Sequence, residues 1–153
     1  MKIINRFGFL LIILWLHGCA TLDGPRFNEV EKLKSEEHST LLLFRSNALK
    51  GAAWPHSYYI DGILVANLNA GGFTQLLVDG GERIVSTGPE KDKFFKQTKV
   101  NFKAGQTYYI REFSGDSVTD STQFVLMKNY KEEDLVNYRY QSPIIEKFVT
   151  KKQ

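Results

Sequence analysis

The chain has 153 residues, with 20 Lys or Arg against 17 Asp or Glu, a formal charge of +3 and one cysteine. That length suits one domain plus an extension. A lone thiol excludes an internal disulfide, and so small a net charge lacks the strong basic field that nucleic-acid binding uses.

Lys2 and Arg6 precede an apolar run of ten residues, Phe7 to Leu16, and the small residues Gly18 and Ala20 flank Cys19. Charged start, apolar middle and small-residue end are the layout of a secretory leader. A lasting helical span would need about 20 apolar residues. Residues 1–18 are therefore predicted to be a cleaved signal peptide.

Leu16, His17, Gly18 and Cys19 resemble the lipobox of bacterial lipoproteins, with His17 departing from the usual small or aliphatic residue. The resemblance implies that Cys19 is the lipidation site and becomes the first residue of the mature chain, its sulfur bonded to membrane lipid. Several acyl chains are the physical requirement, because a buried methylene contributes about 0.8 kcal/mol and one chain anchors only marginally. Ala20, where Asp would favour inner-membrane retention, implies the inner leaflet of the outer membrane, facing the periplasm. A Gram-positive source would instead put the protein on the outer face of its single membrane. Removing 18 of 153 residues leaves 135, and losing Lys2 and Arg6 leaves 18 cations against 17 anions, a net charge of +1.

Residues 19–38 are charged and hold few large apolar groups, which predicts a flexible lipidated tether. The spacing of Phe27, Val30 and Leu33 also allows a short helical stretch after Pro25. From Thr40 the pattern turns to short β-type runs. "TLLLFR" (40–45) predicts a buried strand, and "SYYI" (57–60) and "ILVANL" (63–68) flank Asp61-Gly62, a type I′ hairpin signal.

"FTQLLV" (73–78) and "ERIVST" (82–87) are expected to form a second hairpin through Asp79-Gly80-Gly81. "TKVNF" (98–102) and "TYYIREF" (107–113) should form a third through Lys103 to Gln106, and "TQFVLMK" (122–128) supplies an eighth strand. "KEEDLVN" (131–137) reads as a helical turn, "YRYQ" as a return to the sheet edge, and 143–153 as a C-terminal tail whose last stretch, "EKFVTKKQ" (146–153), is expected to fray. Strands every 8 to 12 residues or so predict an all-β domain over 39–142, an antiparallel β-sandwich or small barrel of about seven or eight strands. Phe44, Tyr59, Phe73, Phe102, Tyr109 and Phe124 are the aromatic candidates for its interior.

From about Thr40 to Gln141 the chain is similar to a family of small bacterial lipoproteins with a PEGA-like β-sandwich domain of unknown function. The strand ending in Phe44-Arg45, the stretch "YYIDGILVANLNAGGFTQLLVDGGERIV" and "AGQTYYI" carry the likeness. Gly80 stands where that pattern has Pro, and Arg83 where it has His. The resemblance implies a fold and an address, and no activity.

Candidate chemistry is sparse. His38 and His56 stand well apart, without a neighbouring Cys or an acidic partner at ligand spacing, so no metal or other cofactor is expected. There is no Gly-x-Ser-x-Gly elbow. Asp116 and Asp120 lie in "SGDSVTD", which reads as a polar loop; a hydrolase would need two such carboxylates at a defined separation.

The 46–57 connection is long for a β-domain, and long loops are often functional. There Trp54 and Tyr58 are the candidate binding residues, presenting flat rings to a sugar or protein, with Trp54 read alternatively as a cap on the core. The sequence thus predicts a non-catalytic, lipid-anchored binding or structural module. An envelope protein or peptidoglycan is its expected partner; a saccharide binder and a carboxylate hydrolase are the alternatives.

Overall fold

The computed structural model describes residues 22–47, 54–89, 96–113, 123–127 and 130–148. Cys19, Asp116, Asp120 and the middle of the 46–57 loop lie outside the described residues. The fold is all-β, in two sheets.

The strands in chain order are β1 (Ser39–Arg45), β2 (His56–Ile60), β3 (Ile63–Leu68), β4 (Gly72–Val78) and β5 (Gly81–Ser86), then β6 (Gln97–Phe102), β7 (Thr107–Phe113), β8 (Gln123–Leu126), β9 (Arg139–Tyr140) and β10 (Lys147–Phe148). One sheet has the order β10-β4-β1-β7-β8, with β9 also on β4; the other is β3-β2-β5-β6. Single 3₁₀ turns occur at Phe27–Glu29 and Glu132–Asp134.

The Asp61-Gly62 hairpin forms as expected, with φ of +49° and +77° joining β2 to β3. The other two expected hairpins require correction. β4 and β5 belong to different sheets, as do β6 and β7, so both turns carry the chain across the gap between sheets. Gly81, at φ +117°, sits at the first of these crossings, a backbone angle that a side chain disfavours. A short Gly-rich turn fixes where the chain reverses, while pairing depends on which sheet offers an apolar face.

Purely antiparallel pairing is also corrected. β1 pairs with β7 in parallel, and β9 and β10 run parallel to β4. Parallel neighbours require a long crossover, and here the connection from β1 to β7 passes through the second sheet. Consequently β1 lies inside the larger sheet, and all seven of its residues are buried.

Alternation along β1 divides the apolar residues into two clusters. Leu41 and Leu43 join Tyr58, Ile60, Val65, Leu68, Leu76, Val85, Phe102 and Ile110 in one core fed by both sheets. Leu42 and Phe44 face the other way, onto Phe27, Phe73 and Leu135. Of the expected interior aromatics, Phe44, Phe73 and Phe102 are buried, whereas Tyr109 and Phe124 are half-buried. Tyr59 is half-buried as well, and its neighbour Tyr58 takes the interior position beside a register shift between β2 and β3.

Both chain extensions are fastened to the domain. Phe27 is buried between Phe44 and Phe73, with ring centroids 5.6 and 5.3 Å away. The Phe27 N–H donates to Tyr138 O and the Tyr140 N–H to Pro25 O, so residues 25–27 lie along β9. The expected flexible tether is therefore docked from Pro25 onward, because Phe27 supplies the apolar anchor a free linker lacks. The expected frayed tail likewise pairs with β4 at Lys147 and Phe148, and Phe148 enters the main core.

Candidate functional site

A buried polar cluster forms where β1 and β7 end and β2 begins. By alternation Arg45 shares the face of Leu41 and Leu43, and Glu112 that of Ile110, so both strands point charge at the core. The two are register partners across the parallel β1–β7 pair. Glu112 is wholly buried, and its Oε1 lies 2.8 Å from His56 Nδ1. Its Oε2 accepts from the Tyr58 hydroxyl. A carboxylate only accepts, so this arrangement puts the histidine proton on Nδ1.

Arg45 Nη1 donates to Trp54 O at 2.7 Å and to Leu68 O at 2.8 Å. Burial lowers the guanidinium pKa, opposed by the charges of Tyr58 and Glu112. Burial is also the main cause that pushes the Tyr58 hydroxyl far above the ordinary tyrosine range, reinforced by the charge and hydrogen bond of Glu112. Both Glu112 oxygens are thus engaged inward, and the cluster acts as a clamp between sheets. Its histidine side chain is 29% exposed.

Trp54 and Tyr58 do not form a shared platform. Tyr58 is fully buried, so its ring belongs to the core and is not available as a binding surface. Trp54 is 73% exposed, which corrects the reading of it as a core cap. Its carbonyl is pinned by Arg45 while its indole stands outside.

Both described histidines have an acidic partner, supplied by a distant part of the chain. Besides His56 with Glu112, His38 Nε2 lies 3.3 Å from Asp79 Oδ1, and His38 Nδ1 lies 3.2 Å from Ser35 Oγ. Ser35 Oγ also accepts the His38 backbone N–H at 3.1 Å, a local turn bond. The Gly105 N–H donates to His38 O, so this line of groups fixes the loop before β1 against the β6–β7 turn. A cleft of about 430 Å³ beside it is lined by Lys34, Ser35, Glu36, Thr40, Gly105 and Thr107.

Sequence reading singled out neither Arg45 nor Glu112 as a site residue. The available signal was a charge at an inward position of an apolar alternation. Among the described residues no group of three His, Cys, Asp or Glu is placed to hold a metal, and no helix is long and apolar enough to cross a membrane. Comparison with known proteins gives no match: no family model fits the chain, and neither a curated protein nor a solved structure is similar to it.

Proposed function

We propose that this protein is a lipid-anchored envelope lipoprotein whose β-domain serves as a non-catalytic binding or structural module. In this reading residues 1–18 are removed and Cys19 carries the acyl chains. The domain faces the periplasm from the outer membrane, and the two sheets form a PEGA-like sandwich. The sandwich reading is supported by one core that draws on both sheets.

The observation carrying a binding role over catalysis is the contrast at one end of the fold. Both oxygens of the buried Glu112 are turned to Tyr58 and His56, while the Trp54 indole nearby is left 73% exposed. Palmitate labelling of wild type and Cys19→Ser tests the anchor: label should vanish in the variant, and unchanged label overturns it. Crosslinking in intact cells should then recover an envelope partner.

A second reading, binding of cell-wall saccharide through the 46–57 loop, is favoured by the exposure of Trp54, since a flat indole stacks on the apolar face of a sugar. Co-sedimentation with purified peptidoglycan should fall in Trp54→Ala. Equal sedimentation of wild type and variant rejects that contact.

A further inference from the structure

The place where the N-terminal segment joins the fold restricts which side of the domain can meet the lipid. Residues 25–27 run along β9, at the edge of the larger sheet. Gly24 is fixed there as well: a Cβ at that position would stand 2.1 Å from Tyr140 O, and its φ is +120°. A chain extends at most about 3.6 Å per residue, so Cys19 lies within roughly 11 Å of Leu22 and 18 Å of Gly24.

That flank continues onto the second sheet. After β9 the chain leaves β4, and the N–H groups of Ile144 and Ile145 both donate to Val65 O in β3, at 2.8 and 3.3 Å. It then returns to β4, where the Leu77 N–H donates to Glu146 O. Two large apolar side chains on this flank are half exposed, Ile144 at 52% and Ile63, the first residue of β3, at 50%.

We infer that the flank carrying Ile63 and Ile144 rests on the bilayer surface. This rests on the reading of Cys19 as the membrane attachment point. Two half-exposed isoleucines would bind lipid weakly from free solution, since interfacial affinity scales with buried apolar area. A tether of a few residues makes the contact intramolecular and raises the effective concentration to the millimolar range or beyond, on the order expected for short linkers. Weak apolar affinity is then enough to set orientation.

Two other exposed apolar sites compete with this flank. Trp54 is held through Arg45 at the Leu68 end of β3, five residues or about 17 Å along the strand from Ile63. The Gly71 N–H donates to Arg45 O and Gly71 O accepts from the Arg139 N–H, so this end also lies beside β9 and the indole is the rival contact within reach of the tether. Phe113, Val125 and Leu126 lie on β7 and β8, at the opposite edge of the larger sheet from β9 and β10.

The test uses the chain from Cys19 onward, which contains every residue of both cores. Its one thiol, at Cys19, is coupled to maleimide-headgroup lipid in phosphatidylcholine vesicles, which supplies the tether whether or not cells acylate it. Trp54 is the only tryptophan from Cys19 onward. Ile144→Trp, Ile63→Trp and Val125→Trp, each with Trp54→Phe, move the indole to the other sites. In vesicles with dibrominated acyl chains, the indole at 144 or 63 should lose emission by about twofold or more relative to plain vesicles, whereas Trp54 and the indole at 125 stay near a ratio of about 1.

Quenching at Trp54 or 125 with none at 144 and 63 overturns the inference, as does the absence of quenching at all four. Position 63 keeps the test open if one substitution disturbs the fold, as circular dichroism would reveal. Loss of palmitate dependence on Cys19 with quenching still confined to 144 and 63 would reject the natural anchor and leave the lipid-facing flank standing.

Discussion

Arg45 and Glu112 stand as register partners on two parallel strands, and both are buried. Arg45 spends hydrogen bonds on the carbonyls of Trp54 and Leu68, and Glu112 accepts from Tyr58 and lies against His56. Opposite charges in low dielectric are tolerated when their remaining polar atoms are engaged. Together they tie the ends of β1 and β7 in one sheet to β2 and β3 in the other.

Removing Glu112 takes away the negative charge that offsets the burial of Arg45 and leaves the Tyr58 hydroxyl and His56 Nδ1 without their acceptor. Glu112→Ala should lower unfolding free energy by about 3–5 kcal/mol, read as a lower urea midpoint at unchanged m-value. Glu112→Gln keeps the shape and one acceptor and should cost less. Equal stability of wild type and Glu112→Ala would mean the cluster does not clamp the sheets.

The Tyr58 hydroxyl sets the response to alkali. Its folded pKa is raised above the unfolded value, first by burial and then by Glu112. Its contribution is therefore complete below the unfolded pKa of about 10 and declines as pH climbs from there towards the folded value. Stability should begin to fall above about pH 10, with a slope approaching 1.4 kcal/mol per pH unit from this group. Tyr58→Phe should flatten that slope while costing about 1–3 kcal/mol near neutrality, because Glu112 loses a donor. Urea titrations at several pH values check both signs.

Strands were legible because their signals are local. Alternation over Gln97–Phe102 and the Asp61-Gly62 pair depend on neighbours in the chain, and both appear where the residues place them. Sheet membership was not legible. Asp79-Gly80-Gly81 looks alike whether β5 pairs with β4 or crosses to β2, and the choice is made by distant packing partners. The same distance hid the histidine partners, since Asp79 and Glu112 reach His38 and His56 only through tertiary structure. The exposure of Trp54 and the burial of Tyr58 were not legible either, because both are set by distant parts of the fold.

Phe27 tests whether the N-terminal segment belongs to the domain. Its ring fills the space between Phe44 and Phe73 on the outer face of the larger sheet, and Leu33 N–H and Glu31 O both bond the Gln75 side chain further along. Phe27→Ala should cost about 3–5 kcal/mol through the lost burial and the cavity left behind. Amide exchange should accelerate most over residues 25–33. Uniform acceleration across the whole sheet would mean the segment is no separable unit.

Thr74 carries a fully buried hydroxyl that finds no hydrogen-bond partner among the described residues. An unmade hydrogen bond on a buried group costs about 1–3 kcal/mol. Thr74→Val keeps the branched shape a strand favours and removes the hydroxyl, so it should raise the urea midpoint by about 1 kcal/mol equivalent. A loss of stability would reveal a partner for that oxygen.

The C-terminal run protects an edge as well as filling the core. β9 and β10 occupy the side of β4 that faces away from β1, at its first and last residues, and the Asp79 N–H donates to Phe148 O. Deleting residues 143–153 removes Phe148 from the core and strips donors and acceptors from Leu77 onward. Truncation of one buried phenylalanine alone costs about 3–5 kcal/mol, and an uncovered strand edge is a template for pairing with other chains. The truncated protein should therefore unfold at lower urea and show light scattering that rises with protein concentration. Placing Lys at Leu77 in the truncated chain should reduce the scattering without restoring the urea midpoint, because edge charge blocks association while the core stays incomplete. Recovery of both together would mean that the two effects share one cause, and that the tail acts through the core alone.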